Sequence, residues 1–167
     1  MKYFEHESAA TFDEAVSLLK ESPKGKTVVM AGGSDLIGVL KEQILEDYPE
    51  KVVDLKTVRG GEYIKQDGDT IEIGALTKLC DIVKSDLLNE KAPVLSQAAR
   101  SVATPLIRNV ATMGGNICQD VRCWFYRYPH GIGGRMDCMR KGGKECYAVI
   151  GHNRYHSIFG GMKVHTT

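Results

Sequence analysis

Apolar positions in the first hundred residues follow two periods, one near 3.6 and one near 2, interrupted by short polar stretches. In TFDE, Thr11 stands three residues before Glu14 as a capping box, and Ala15, Leu18 and Leu19 then share one helical face until the PKG at 23–25 stops the helix. Residues 27–30, TVVM, predict a strand that runs into Ala31-Gly32-Gly33-Ser34-Asp35; Leu36, Ile37, Val39 and Leu40 predict a short helix after it. Residues 51–55 and 70–73 predict two more strands, and RGGEYIKQDGD between them carries the Gly and Asp of turns or a short hairpin. Thr77 is expected to cap a helix striped with Leu79, Cys80, Val83 and Leu87, and residues 93–102 predict another that ends at Thr104-Pro105. Strands alternating with helices predict an α/β chain.

After the first hundred residues the rhythm is lost. Eight of the 18 glycines lie between 131 and 161 and leave little room for regular structure. Four of the five cysteines, Cys118, Cys123, Cys138 and Cys146, fall in the same half of the chain, whereas Cys80 sits in the predicted helix. An odd cysteine count without an export signal argues against a disulfide framework and for reduced thiols able to act as ligands. With 22 Lys plus Arg against 21 Asp plus Glu, the net charge of +1 argues against a general nucleic-acid surface. The apolar fraction of 43% suffices for a core. No apolar run approaches the roughly 20 residues of a membrane span, and MKYFEHES lacks a signal peptide's features, so a soluble, cytoplasmic protein is expected.

Three segments carry chemistry. In AGGSD at 31–35, adjacent glycines let backbone N–H groups point inward ahead of a helix start, an arrangement that cradles a phosphate; a plain strand-to-helix turn is the other reading. TMGGN at 112–116 repeats the glycine pair, with Asn116 offering an amide and Arg108 a nearby charge; two unrelated turns would read the same way. The third is the spacing C-x14-C-x7-C at Cys123, Cys138 and Cys146, followed by His152 and His156. Thiolates with a histidine suit zinc or an iron–sulfur cluster, and the spacing does not choose between them. His6, His130 and His165 have no comparable neighbours and read as surface or packing residues.

AGGSDLIG at 31–38, IGALTKL at 73–79 and LIRNVATMGGNIC at 106–118 resemble, in order, the FAD-binding module of molybdenum hydroxylases, the family of xanthine dehydrogenase and carbon monoxide dehydrogenase medium subunits. The resemblance implies an α/β (α+β) module whose two lobes hold extended FAD. Residues 1–57 would form the first lobe, 58–122 part of a second, apparently shortened lobe, and 123–167 an irregular iron–sulfur loop and tail. Ala31, Gly32, Gly33, Ser34, Asp35 and Leu36 would wrap the diphosphate; Ala75, Leu76, Thr77, Thr112, Gly114, Gly115, Asn116 and Asp120 would contact the rest of the cofactor.

The tail, with DVRCW at 120–124 and DCMRKGGKECYAV at 137–149, resembles the cluster loop of the 4-hydroxybenzoyl-CoA reductase flavin subunit, which carries a [4Fe-4S] cluster. Cys123, Cys138 and Cys146 match three of its ligands. The fourth position falls on Tyr155, a departure that makes His156 the first choice and Cys118 the second. The implied function is an electron-transfer subunit relaying electrons between FAD, a [4Fe-4S] cluster and partner centres, with no catalytic residue of its own. Expected partners are a molybdenum-cofactor or iron–sulfur subunit and NAD(P)H or another electron carrier. Because the family module normally continues beyond the point where this sequence stops, a partner subunit covering the unfinished lobe is also expected. The alternative is a zinc- or iron–sulfur-binding assembly subunit without functional FAD.

Overall fold

In the computed structural model of the chain, residues 1–45, 47–128 and 137–151 are described. Their elements are β1 (Glu5–Ser8), α1 (Phe12–Glu21), β2 (Thr27–Met30), α2 (Leu36–Lys41), β3 (Lys51–Asp54), β4 (Ile64–Asp67), β5 (Thr70–Ile73), α3 (Leu79–Lys84), α4 (Asp86–Lys91), α5 (Pro93–Ser101), α6 (Pro105–Arg108), α7 (Met113–Ile117), a 3-10 turn (Met139–Lys141) and α8 (Tyr147–Ile150). The fold is mixed α/β, as its alternating patterns predict. Two compact units share it: residues 4–34 with 49–118, called here the α/β unit, and residues 1–3, 35–48 and 119–167, called the cysteine unit. The lobes expected at 1–57 and 58–122 therefore both contribute mainly to the α/β unit.

In the α/β unit, β1, β3 and β2 form a parallel sheet in that order, with Lys51 of β3 opposite both Glu5 and Thr27. The central strand carries the fully buried Val52 and Val53, which a strand flanked on both sides can cover on either face. Sequence patterning did not predict β1. Its four residues, EHES, contain nothing apolar, and it is a strand because its backbone pairs with β3. The capping box forms: Thr11 Oγ1 accepts from the Glu14 N–H at 3.1 Å, and the Glu14 carboxylate accepts from the Ala10 N–H at 2.7 Å. Helix α1 buries Ala15 with Ala9, Val53, Val58 and Leu76.

The polar stretch before β5 is indeed a hairpin, with β4 and β5 antiparallel around Gly68-Asp69 and Gly68 in the left-handed region at φ 56°. Two expectations are corrected here. Thr77 does not cap α3: Lys78 holds that position, and the buried Thr77 hydroxyl accepts from the Tyr63 N–H at 3.0 Å while donating to the Tyr63 carbonyl at 2.9 Å. TMGGN is not an open turn: Thr112 caps α7 and both glycines are helical, because Thr112 Oγ1 accepts from the Gly115 N–H at 3.2 Å. A second core gathers Leu79, Ile82, Leu88, Ala99 and Ala111. Cys80, expected in the packed stripe of α3, is only half-buried, with its thiol pushed up by burial first and by the adjoining Asp81 carboxylate second.

The cysteine unit builds its core from Val39, Ile44, Cys123, Tyr126, Cys138 and Ala148. The expected irregular loop contains short order: Met139 N–H donates to the Glu145 carbonyl at 2.9 Å, and the 3-10 turn closes on Gly142 at φ 80°. Among the described residues no helix is long and apolar enough to cross a membrane.

Candidate functional site

Three sequence segments far apart in the chain converge in the α/β unit. A pocket of about 300 Å³ is lined by Ala31 and Gly32 from the first glycine pair, Leu76 from the middle motif, and Val110 and Thr112 from the third. The strand order explains the first wall: β2 delivers Ala31 and Gly32 at its C-terminal end, where open parallel sheets place their ligands. The second and third walls are laced together by backbone, with Met113 N–H donating to the Thr77 carbonyl and Gly114 N–H to the Ala75 carbonyl, each at 2.8 Å.

Gly32 is required by space. A β-carbon there would overlap the Val110 carbonyl, so the two backbones approach as closely as they do only because the side chain is hydrogen. Gly33 is required by conformation, with φ at 70°. Among the described residues nothing accepts from the N–H groups of Gly32, Gly33 or Ser34. Successive unpaired donors of this kind suit an anion. Two cations that sequence patterning did not single out, Lys56 and Lys78, also line the pocket. Lys56 lies 3.6 Å from Asp54 and Lys78 lies 3.9 Å from Glu62, distances loose enough to leave ammonium donors for a ligand. Lys78 stands inside the middle motif, IGALTKL, whose pattern gives it no separate role, and Lys56, just after a strand, looks like ordinary surface.

The other expected cofactor residues have varied surroundings. Ala75 is exposed, while Leu76 and Thr77 are buried in the fold. Thr112, Gly114 and Gly115 hold α7, and Asn116 is half-buried, its side-chain amide without a partner among the described residues. Arg108 donates to the Val102 carbonyl at 2.7 Å and so braces the turn at Ala103, which has φ 42°. Leu36 opens α2 in the cysteine unit. Asp35 and Asp120, also in that unit, belong to an ionic network. The Asp35 carboxylate accepts from Arg122 at 2.9 Å, from Arg127 at 3.0 Å on each oxygen, and from the Asp120 N–H at 3.2 Å. The Asp120 carboxylate accepts from the Tyr126 hydroxyl at 2.6 Å; burial, then this bond, pushes the phenol well above its ordinary range.

The sequence matches the family of FAD-binding domains in molybdopterin dehydrogenases over residues 2–123. The chain belongs to that family. It is 34% identical over 117 residues to the nicotinate dehydrogenase FAD-subunit of Eubacterium barkeri, a match covering 70% of this chain and 39% of the relative. The carbon monoxide dehydrogenase structure from Hydrogenophaga pseudoflava superimposes with a TM-score of 0.66 at 31% identity, covering 70% of this chain and 39% of that one. The aldehyde oxidoreductase FAD-binding subunit PaoB of Escherichia coli (strain K12) is 29% identical over 161 residues, 96% of this chain and 48% of the relative, so that likeness extends through the cysteine segment. This FAD-binding domain spans about two fifths of the length of the first two of these proteins.

The pocket fits part of the dinucleotide. At about 300 Å³ it lies at the lower end of the roughly 300–1,000 Å³ of small-molecule sites, room for a section of an extended cofactor. Gly32, with its unpaired N–H and close backbone, and the two lysines line it with donors of the kind a diphosphate takes, and the unpaired N–H groups of Gly33 and Ser34 follow directly in the chain. The expected cluster ligands fare differently. Cys123 and Cys138 are buried and Cys146 packs against the same core, yet among the described residues no three His, Cys, Asp or Glu side chains are placed to hold a metal ion. His156, with Tyr155 and His152, lies outside the described residues. Cys118, the second choice for the fourth ligand, is exposed at the end of α7 in the α/β unit.

Proposed function

We propose that this FAD-binding domain is the flavin part of a molybdenum-hydroxylase-type oxidoreductase and relays electrons between FAD and partner redox centres. The observation that carries the reading is the convergence of three motif segments on one pocket whose first wall presents unpaired backbone donors. Gly32, Gly33 and Ser34 hold the diphosphate through their N–H groups, Lys56 and Lys78 neutralise it, and Leu76 supplies an apolar wall. Thr112 keeps α7 in place beneath the site, and Asn116 offers its amide to a polar edge of the cofactor. FAD, when bound, supplies the chemistry, exchanging electrons in pairs or singly; the protein's part is to bind, orient and bury it. The site residues include no nucleophile–base pair, so substrate turnover belongs to a partner subunit carrying the molybdenum centre, with NAD(P)H or another carrier as the external redox partner.

A [4Fe-4S] cluster on Cys123, Cys138 and Cys146, with His156 as fourth ligand, completes this reading. Its support is the resemblance of the cysteine segment to a cluster loop, with Cys123 and Cys138 buried in one core and Cys146 packed against it. Because the described thiols do not converge on one metal position, no step of the relay is assigned to the cluster.

Flavin extraction with iron and acid-labile sulfide analysis of anaerobically purified protein tests both parts. FAD with about four irons and four sulfides per chain is the expected result. FAD without sulfide removes the cluster and leaves the flavin role, whereas a colourless zinc protein overturns the whole reading in favour of an assembly subunit. Gly33→Val, which forces a branched side chain into left-handed backbone, should lower FAD affinity by about 10-fold or more, with helix content retained.

A further inference from the structure

The acidic residue that ends the first glycine motif is held by guanidinium groups. Asp35 is an anion with 15% of its side chain exposed, and both oxygens are engaged by guanidinium groups. Arg127 sits at the hub. Beyond its paired bonds to Asp35, it donates through Nε to the Val121 carbonyl at 2.6 Å and through Nη2 to the Asp120 carbonyl at 2.9 Å. Residues 120–127 are therefore wound around one guanidinium, and Arg127 N–H donates to the Cys123 carbonyl at 2.8 Å, closing the turn that contains the thiol. Arg122 adds a second, more exposed grip on the same carboxylate. Cys123 is 4% exposed at the centre of this turn, while its sequence neighbour Trp124 is 81% exposed.

We propose that Asp35 is a positioning residue of the cysteine segment: through Arg127 it fixes the 120–127 turn and holds the Cys123 thiol buried. The carboxylate anchors this turn to the start of α2. Paired, partly buried charge–charge hydrogen bonds are directional, so the pair sets which side chain of the turn faces inward as well as how tightly the turn packs. Removing either partner leaves the other charge underpaired within a partly buried network, and removing Arg127 also takes away the group around which residues 120–127 are wound.

The test is the alkylation rate of each cysteine, read by peptide mass spectrometry on the full chain after chelation, under reducing anaerobic conditions. In wild type Cys123 should react at least ~10-fold more slowly than the exposed Cys118. Asp35→Asn and Arg127→Gln should each speed Cys123 by about 10-fold while Cys80, in α3 of the α/β unit, keeps its rate. The double variant should be no faster than Arg127→Gln alone, the signature of Asp35 acting through Arg127. Arg122→Gln, at the exposed grip, should give a smaller change in the same direction and serves if the stronger variants fail to fold. An unchanged Cys123 rate in Asp35→Asn and Arg122→Gln, rates that multiply in the double variant, or a wild-type Cys123 as reactive as Cys118 would overturn the proposal. Loss of FAD affinity in Asp35→Asn at an unchanged Cys123 rate would also overturn it, by returning Asp35 to the cofactor. Because the readout is a thiol rate, failure of the cluster or FAD reading leaves it intact.

Discussion

The two glycine pairs look alike in sequence and differ in what their backbones do. At Gly32-Gly33 the N–H groups have no acceptor among the described residues, one glycine is demanded by a close carbonyl and the other by a left-handed φ. At Gly114-Gly115 the N–H groups are engaged internally, by the Ala75 carbonyl and the Thr112 hydroxyl, and φ is not left-handed at either position. A glycine pair therefore marks close backbone approach without saying to what. The first pair leaves donors for a ligand; the second lets α7 pack against the strand-to-helix connection that carries Ala75 and Thr77.

Amide exchange gives the largest contrast. Met113, Gly114, Gly115 and Asn116 should be protected before any cofactor is added, whereas Gly32, Gly33 and Ser34 should exchange quickly and slow by about 100-fold on FAD binding. Equal protection of the two pairs without FAD would erase the distinction. Gly32→Val comes next. Its β-carbon meets backbone, which cannot swing aside, and an overpacked contact of this kind costs about 3 kcal/mol, measurable as a lower urea midpoint. Gly114→Ala should cost less. The added carbon would lie 2.9 Å from the Ala75 carbonyl oxygen, a strain of about 1–3 kcal/mol partly offset by about 1 kcal/mol of better helix propensity. Thr112→Ala, which removes the cap of α7, should lower stability by about 1 kcal/mol and leave the exchange of Gly32–Ser34 amides unaltered.

Local pattern was readable where one residue type has one physical use. TVVM is a strand because β-branched residues suit a pleated surface, and TFDE begins a helix because its side chains satisfy nearby N–H donors. Pattern misled where a polar group had two uses. Thr77 and Thr112 both precede apolar helical stretches, yet Thr112 caps its helix while the Thr77 hydroxyl is turned to Tyr63 across the fold. Pattern was silent on the partners of Asp35: beside a phosphate-type turn it reads as a cofactor residue, and Arg122 and Arg127, which grip its carboxylate, stand 87 and 92 positions away.

The sequence by itself determined the α/β character, the family and the three segments that build the pocket, because short-range periodicity and motif spacing are properties of neighbouring residues. Only the tertiary structure decided that polar EHES is a strand, that Lys56 and Lys78 line the pocket, that the first glycine pair keeps its donors while the second does not, and that Asp35 grips Arg127. Each of these depends on what a group meets across the fold. A backbone N–H, an ammonium or a carboxylate is chemically the same wherever it stands in the chain, and its role follows from the partner that folding brings to it.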